Sequence, residues 1–392
     1  MRRDDVQNLA PGRRLRVAVV TESFLPTRNG VTTSVCRVLE HLRARGHDAV
    51  VVCPGPAPES YAGAPVVTVP AVRFRQFPVG LPTPALRRTL RSFAPDVVHL
   101  ASPFVLGARG ARAAARLELP AVAVFQTDVA GFAKTYHLGA LSGLAWRWVR
   151  RIHATADLTL APSTATLSAL ESHAVPRLRH WARGVDGDRF RPGRRVAPGV
   201  VAARKAMAPH GETIVGYIGR VAPEKRVERL AALADVPGVK LVVGGDGPAR
   251  ATVERALRRQ DATFLGWLDG DRLADAYALL DVFVHTGTEE TFGQTLQEAQ
   301  ASGLPVVAPG CGGPLDLVRP GVNGLLYEPE DDAGLAAAVA TIAGDPLLRA
   351  RMSLAARSGV EHRSWEALGD ELIGHYRTAI GERPAVPLVE GA

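Results

Sequence analysis

The sequence predicts an α/β protein of two doubly wound domains facing one another across a cleft, and three observations lead there. Short apolar runs that read as buried strands recur along the chain, separated by helix-length segments, which is the pattern of parallel sheets with right-handed crossovers. At 392 residues the chain is long for one core and suggests two domains of ordinary size. Near its middle, Pro192-Gly193 and Pro198-Gly199 give the turn-rich composition of an interdomain linker. Ligands of such Rossmann-like sheets gather at the carboxyl ends of the strands, so the loops there are the ones to read for chemistry.

The first domain is expected over residues 14–192. Leu15 to Val20 reads as a strand, and the loop after it ends in Asn29-Gly30 before helical spacing over 32–45. Asn-Gly is a turn signal that leaves bare backbone facing the cleft, and an ordinary tight turn fits it equally well. Further strands read as 48–53, 66–69, 96–100 and 121–125, the last placing Gln126 and Asp128 at the cleft. The segment 141–153 mixes Trp146 and Trp148 with Arg147, Arg150 and Arg151. Two readings stay open for it: an interfacial helix lying on anionic lipid, or a surface helix whose tryptophans pack inward. Arg73, Arg75, Arg87, Arg88 and Arg91 form a second basic patch.

The second domain is expected over 193–363. An apolar strand, 214–218, runs into Gly219-Arg220 and then Glu224-Lys225. Alone, these cations read as surface charges; on the loop leaving a strand they can clamp a diphosphate, Arg as a fork and Lys as a point charge. A second strand runs into Gly244-Gly245-Asp246-Gly247-Pro248, which is neither the GxGxxG fingerprint nor a P-loop. Glu289-Glu290-Thr291-Phe292-Gly293 then reads as a loop opening a helix, with Thr291 as its N-cap and Gly293 allowing a bulky anion close to the amides. Glu290 and Glu298 frame that helix mouth. Such carboxylates can equally complement the dipole or face solvent, but a vicinal diol matches a carboxylate well. Residues 364–380 read as a closing helix, and 381–392 as a mobile tail.

Composition narrows the class. No apolar run approaches the roughly 18 residues a membrane span needs, and the first residues lack a secretion signal, so a cytoplasmic chain is expected. Cys36, Cys53 and Cys311 match neither zinc spacing nor a disulfide framework. The formal charge of +8 favours anionic partners, nucleotide diphosphates or acidic lipid surfaces, and without any nucleic-acid-binding signature no nucleic-acid partner is expected.

Gly219-Arg220 with Glu224-Lys225, the 242–248 strand and glycine turn, Phe264-Leu265-Gly266, Glu290-x7-Glu298 and Gly321-Val322-Asn323-Gly324 together resemble the donor-sugar half of a retaining glycosyltransferase of family 4, which has the GT-B fold. The likeness spans about residues 15–380. It is greatest to actinobacterial GDP-mannose-dependent α-mannosyltransferases that build lipid-linked mannosides, through the 22–26 segment, Asn29-Gly30-Val31 and Phe125-Gln126-Thr127-Asp128. The resemblance implies that the closing helix at 364–380 crosses back to the first domain, and it implies roles. Arg220 and Lys225 neutralise the diphosphate, Glu298 binds the ribose, Glu290 with Phe292 and Gly293 holds the transferred sugar, and Gly30 touches the phosphates from across the cleft. Gly245 and Leu268 line the donor side, while Gln126 and Asp128 are candidate acceptor or sugar contacts. Gln126 stands where many relatives carry a proton-carrying His. No metal or other cofactor is expected, and peripheral attachment to the inner face of the plasma membrane is. A UDP-glucose or UDP-GlcNAc transferase acting on a small-molecule acceptor would share these motifs; a nucleotide-sugar epimerase of the same fold would need more acids and histidines in the cleft.

Overall fold

The computed structural model describes residues 13–27, 29–74, 77–81, 83–101, 103–126 and 142–381. The first domain is built on β1 (Arg16–Val20), β2 (Asp48–Pro54), β3 (Ser60–Tyr61), β4 (Ala64–Val69), β7 (Val97–Leu100), β8 (Ala121–Val124), β9 (Leu158–Ala161) and β10 (Leu178–His180), with β5 (Ala71–Phe74) and β6 (Phe77–Gly80) forming a separate hairpin. The eight strands lie in the order β10-β9-β8-β7-β1-β2-β4-β3, and every pairing is parallel except β3 with β4. The central strands β1, β2, β7, β8 and β9 are Val- and Ala-rich and largely buried, as a sheet covered on both faces requires, while β3, β4 and β10, towards the two edges, are partly exposed. Helices α1 (Gly30–Ala44), α2 (Ala85–Phe93), α3 (Val105–Arg116), α4 (Ser142–His153) and α5 (Thr164–Ser172) cover it.

The second domain repeats the plan: β11 (Thr213–Ile218), β12 (Val239–Gly244), β13 (Thr263–Gly266), β14 (Val282–Val284), β15 (Val306–Pro309) and β16 (Gly324–Tyr327), all parallel, in the order β13-β12-β11-β14-β15-β16. Its helices are α6 (Pro198–Met207), α7 (Arg250–Ala256), α8 (Gly270–Leu279), α9 (Gln294–Ala301), α10 (Pro314–Leu317), α11 (Asp332–Gly344) and α12 (Pro346–Ser358). In each sheet the chain winds outward in both directions from one central pair, β1/β7 and β11/β14. Beside those pairs successive connections leave on opposite sides and a crevice opens. The last helix, α13 (Trp365–Ile380), packs on α1, β7 and β8 of the first domain.

One expectation needs correction, and two readings gain detail. The proline–glycine stretch from 192, between the two sheets, is ordered: Pro192–Val196 is a 3₁₀ turn and Pro198 opens α6, because proline at the first helical positions is pre-set for a helix. Arg194 and Arg195 in it pair with Asp271, Asp275 and Asp281. Thr291 does not cap α9; Gly293, at φ +100°, holds that position without a side-chain cap. Of the two readings of 141–153, the tryptophans follow the one in which they pack inward. Trp146 stacks on His173 at 3.8 Å between ring centroids, and Trp148 packs inward beside Arg112. Among the described residues no single helix is long and apolar enough to cross a membrane.

Candidate active site at the interdomain cleft

The candidate donor-site residues of the second domain all leave the carboxyl ends of strands. Arg220 follows β11, Gly245 follows β12, Leu268 follows β13, and Glu290, Phe292 and Gly293 lie between β14 and α9. Arg220 and Glu290 therefore flank the β11/β14 crevice. The glycine turn is required by close backbone packing: Gly245 has φ +117°, and a Cβ there would sit 1.9 Å from the Gly219 carbonyl oxygen. Leu268 leans over the same turn, its Cδ1 2.8 Å from where a Cβ of Gly244 would stand.

The two clamp cations are not bare. Lys225 Nζ lies 2.5 Å from Glu290 Oε2, and Arg220 Nη1 lies 3.3 Å from Glu224 Oε1. The backbone of each is fixed: the Tyr217 hydroxyl donates to the Arg220 carbonyl and the Thr286 hydroxyl to the Lys225 carbonyl, both at 2.8 Å. The Gly293 N–H donates to Glu290 Oε1 at 3.2 Å. Burial would push the Glu290 carboxyl up, but Lys225 and the surrounding donors hold it down at about 2. Glu298, on α9, goes the other way. Burial raises it to about 7 although the Tyr277 hydroxyl donates to it at 3.0 Å. His285, at the end of β14, is 1% exposed, with Nε2 3.8 Å from Glu290 Oε2 and its carboxyl neighbour too far for a hydrogen bond. Burial pushes its imidazole down to about 4, so it is neutral at pH 7.

One carboxyl held low and another raised also suit the nucleophile and acid of a retaining glycosidase. Here both Glu290 oxygens are engaged, one by Lys225 and one by Gly293, which makes it a fixed anion and not an attacking group.

The first domain supplies the other wall. Gly30 opens α1, with Asn29 Oδ1 capping the helix at Thr32 N, 2.9 Å. Gln126 turns its Nε2 onto the Ala101 carbonyl, between the ends of β7 and β8. Asp128 lies outside the described residues. Across the cleft the Ser163 hydroxyl donates to the Thr291 carbonyl at 2.7 Å, and Thr164 N donates to Asp316 at 2.7 Å, so the loop carrying Glu290 is held from the first domain.

Sequence reasoning missed Arg183, His285 and Tyr277. Arg183 immediately precedes Gly184-Val185-Asp186, and no local pattern marks it as a site residue; nothing in the sequence around His285 or Tyr277 distinguishes them from core residues.

Two parallel-sheet domains meeting at a cleft, with paired cations and carboxylates at the carboxyl ends of the strands, define a glycosyltransferase of the GT-B class. Solved structures share the fold at low identity: Anabaena HepE in complex with UDP and glucose, TM-score 0.76, 20% identical, covering 92% of this chain and 99% of that one, and sucrose-phosphate synthase from Thermosynechococcus elongatus, TM-score 0.75, 21% identical, covering 94% of this chain and 100% of that one. Residues 28–189 match the profile described as Glycosyltransferase Family 4, and residues 202–359 match that described as Glycosyl transferases group 1. The chain belongs to glycosyltransferase family 4. Among its relatives are proteins named GDP-mannose-dependent alpha-mannosyltransferase, from Corynebacterium glutamicum (46% identical, 96% of this chain, 92% of the relative) and Mycolicibacterium smegmatis (48% identical, 94% and 99%).

Proposed function

We propose that this glycosyltransferase moves α-mannose from GDP-mannose, with retention, onto a lipid-linked acceptor. The observation that carries the donor is the 46–48% identity, over nearly the whole length of both chains, to relatives bearing that name. The site geometry supports the roles. The diphosphate lies against Arg220 and Lys225, the ribose diol on Glu298, and the sugar beside Glu290, Phe292 and Gly293, with the Gly30 end of α1 facing the phosphates. Lysine has three donors, so Lys225 holds phosphate without leaving Glu290. The acceptor hydroxyl attacks C1 from the face the phosphate leaves. The new O–C1 bond forms as the C1–O bond to the β-phosphate breaks, and the hydroxyl proton passes to a phosphate oxygen. The two cations do what a metal would do at the diphosphate, so the reaction proceeds in EDTA.

Attachment to an anionic membrane surface is part of the reading and has its own support. Helix α3 lies between α2 and α4, and each of the three carries three arginines and no Asp or Glu. Arg87, Arg88, Arg91, Arg112, Arg116, Arg147, Arg150 and Arg151 are exposed, as is Leu144 at 59%.

The test of the donor is calorimetry with GDP-mannose, UDP-glucose, UDP-GlcNAc, GDP and UDP in metal-free buffer. Tight GDP binding with a further gain for the mannose conjugate is expected. Binding of the UDP compounds alone would move the donor assignment, and binding of none would overturn it.

A further inference from the structure

Of the three cations described at the cleft, Arg220 and Lys225 each hold a carboxylate, whereas the hydrogen bond Arg183 makes among the described residues is to a carbonyl. Its main chain is fixed from the second domain: Gln297 Nε2 donates to the Arg183 carbonyl at 3.0 Å and Gln294 Nε2 to the Gly184 carbonyl at 3.1 Å, both from α9. Gly184 leaves no slack, since a Cβ there would stand 2.6 Å from Trp365 Cα. From this support the side chain reaches into the first domain. Nη2 donates to the Gly30 carbonyl, and Nη1 lies 3.1 Å from where a Cβ of Gly30 would be. The guanidinium thus lies against the first residue of α1.

That placement has the wrong sign for a protein without ligand. A helix N-terminus carries partial positive charge and unpaired N–H groups, so a cation beside it is repelled. The Arg183 Nε is buried and without an acceptor among the described residues. Burial brings the guanidinium down to about 10 although Glu290 and Glu298 both favour its charge. Two positive features facing one another, one with a spare buried donor, are complementary to an anion between them.

We propose that Arg183 is a ligand of the donor β-phosphate, a third cation of the site that ties the leaving group to the first domain. This rests on the reading of a nucleoside diphosphate sugar as donor. The β-phosphate is the one concerned because Glu298 anchors the nucleoside end on α9, so the distal phosphate is the nearer to Gly30. One Nη2 hydrogen stays on the Gly30 carbonyl while Nη1 and the other Nη2 hydrogen, which share the end of the fork, donate to phosphate oxygens. As the C1–O bond breaks, negative charge grows on those oxygens, and a preorganised guanidinium stabilises it more than it stabilises the bound donor.

The test compares GDP with GMP by calorimetry on the wild type, Arg183→Gln and Arg183→Lys, together with kcat and KM for transfer. Losing a hydrogen bond to a charged group weakens binding about 10- to 100-fold, so Arg183→Gln should lower GDP affinity by that factor and leave GMP nearly unchanged. Its kcat should fall about 10²-fold, with Arg183→Lys recovering part. Equal weakening of GDP and GMP, or an unchanged kcat, would overturn the proposal and leave Arg183 a packing residue of the domain junction. If the Gln variant does not fold, the Lys variant carries the same comparison, because it keeps the charge and loses the guanidinium donors. A wild type that binds UDP in place of GDP is tested with UDP and UMP in the same way. A wild type that binds no nucleotide overturns the donor reading and this proposal with it.

Discussion

Lys225 and Glu290 depend on one another, and the dependence sets what either substitution does. The pair stands at 2.5 Å with only 24% and 16% of the two side chains exposed. Removing one member of an enclosed pair leaves the other's charge without compensation. Lys225→Ala should therefore lose activity by about 10²–10³-fold, the usual cost of one donor at a developing oxyanion, and should also melt earlier than the wild type. Adding Glu290→Gln to the same chain should restore the melting temperature and not the activity. Arg220→Ala should likewise cost activity and some stability, because its partner Glu224 is only 8% exposed and would be left without its counter-charge. Melting that is unaltered in Lys225→Ala would show that the pair carries no stability.

Glu298 makes a prediction of opposite sign. Its carboxyl is raised from 4.5 to about 7, chiefly by burial, so the folded protein holds that proton more tightly than the unfolded chain. The stability this contributes is complete below pH 4.5 and is lost as the pH rises through about 7. Glu298→Gln, which keeps the shape and cannot ionise, should match the wild type below pH 4.5 and melt a few degrees higher at pH 8. Glu290 runs the other way: held down at about 2, it contributes stability above pH 4.5 that disappears as the pH falls towards 2. A Glu298→Gln curve parallel to the wild type across this range would refute the assignment of burial as the cause.

At the scale of elements, α13 is the joint between the domains. Ser364 caps it by accepting from Ala367 N at 3.1 Å, Trp181 Nε1 donates to the Leu368 carbonyl at 2.9 Å, and the Tyr376 hydroxyl shares a 2.8 Å hydrogen bond with His99 Nδ1 inside the first domain. Burial holds His99 down at about 4, so the ring is neutral at pH 7 and this bond joins two uncharged groups. Tyr376→Phe leaves the buried His99 nitrogen unpaired and should cost about 1–3 kcal/mol in chemical denaturation. A smaller loss would mean that water reaches the ring. The pattern of Leu368, Leu372 and Tyr376 tells that one face of this helix is buried; it does not tell against which sheet, because periodicity describes an element and not its partner. The same limit separates what was legible at the site from what was not. The strand-to-loop junctions of Arg220, Gly245 and Glu290 were readable as local patterns, since apolar runs and glycines mark them. Arg183 was not, because its place is set by Gln294, Gln297 and Gly30, which lie more than a hundred residues away in the chain. The cap of α9 was misread for a related reason: Thr291 is the better capping residue by type, but Glu290 is tied to Lys225 and takes the Gly293 amide, and the turn this imposes puts a glycine at the left-handed position.

For the whole molecule, the charge is more unevenly spread than the net +8 suggests. In the second domain many arginines are answered: Arg194, Arg195, Arg204, Arg226, Arg229 and Arg250 each pair with an Asp or Glu. On the first domain α2, α3 and α4 present arginine with no acidic residue in any of the three helices. Such a face is costly to hold together by itself and is relieved by a sheet of negative charge, each cation near an anionic surface contributing about 1 kcal/mol. The inward packing of Trp146 and Trp148 makes this attraction chiefly electrostatic, with little insertion. Co-sedimentation with phosphatidylserine or phosphatidylinositol vesicles should therefore be strong, should be absent with phosphatidylcholine alone, and should weaken steeply as salt shortens the screening length from about 8 Å to about 3 Å. Changing Arg87, Arg91, Arg147 and Arg150 together to Glu should abolish it while GDP binding stays intact, because these residues are on the outer helices and the donor loops leave the other domain's sheet. Retention of the variant on anionic vesicles at low salt would exclude this face as the point of attachment, and salt-independent binding by the wild type would show that insertion of apolar groups such as Leu144, and not charge, holds the protein at the surface.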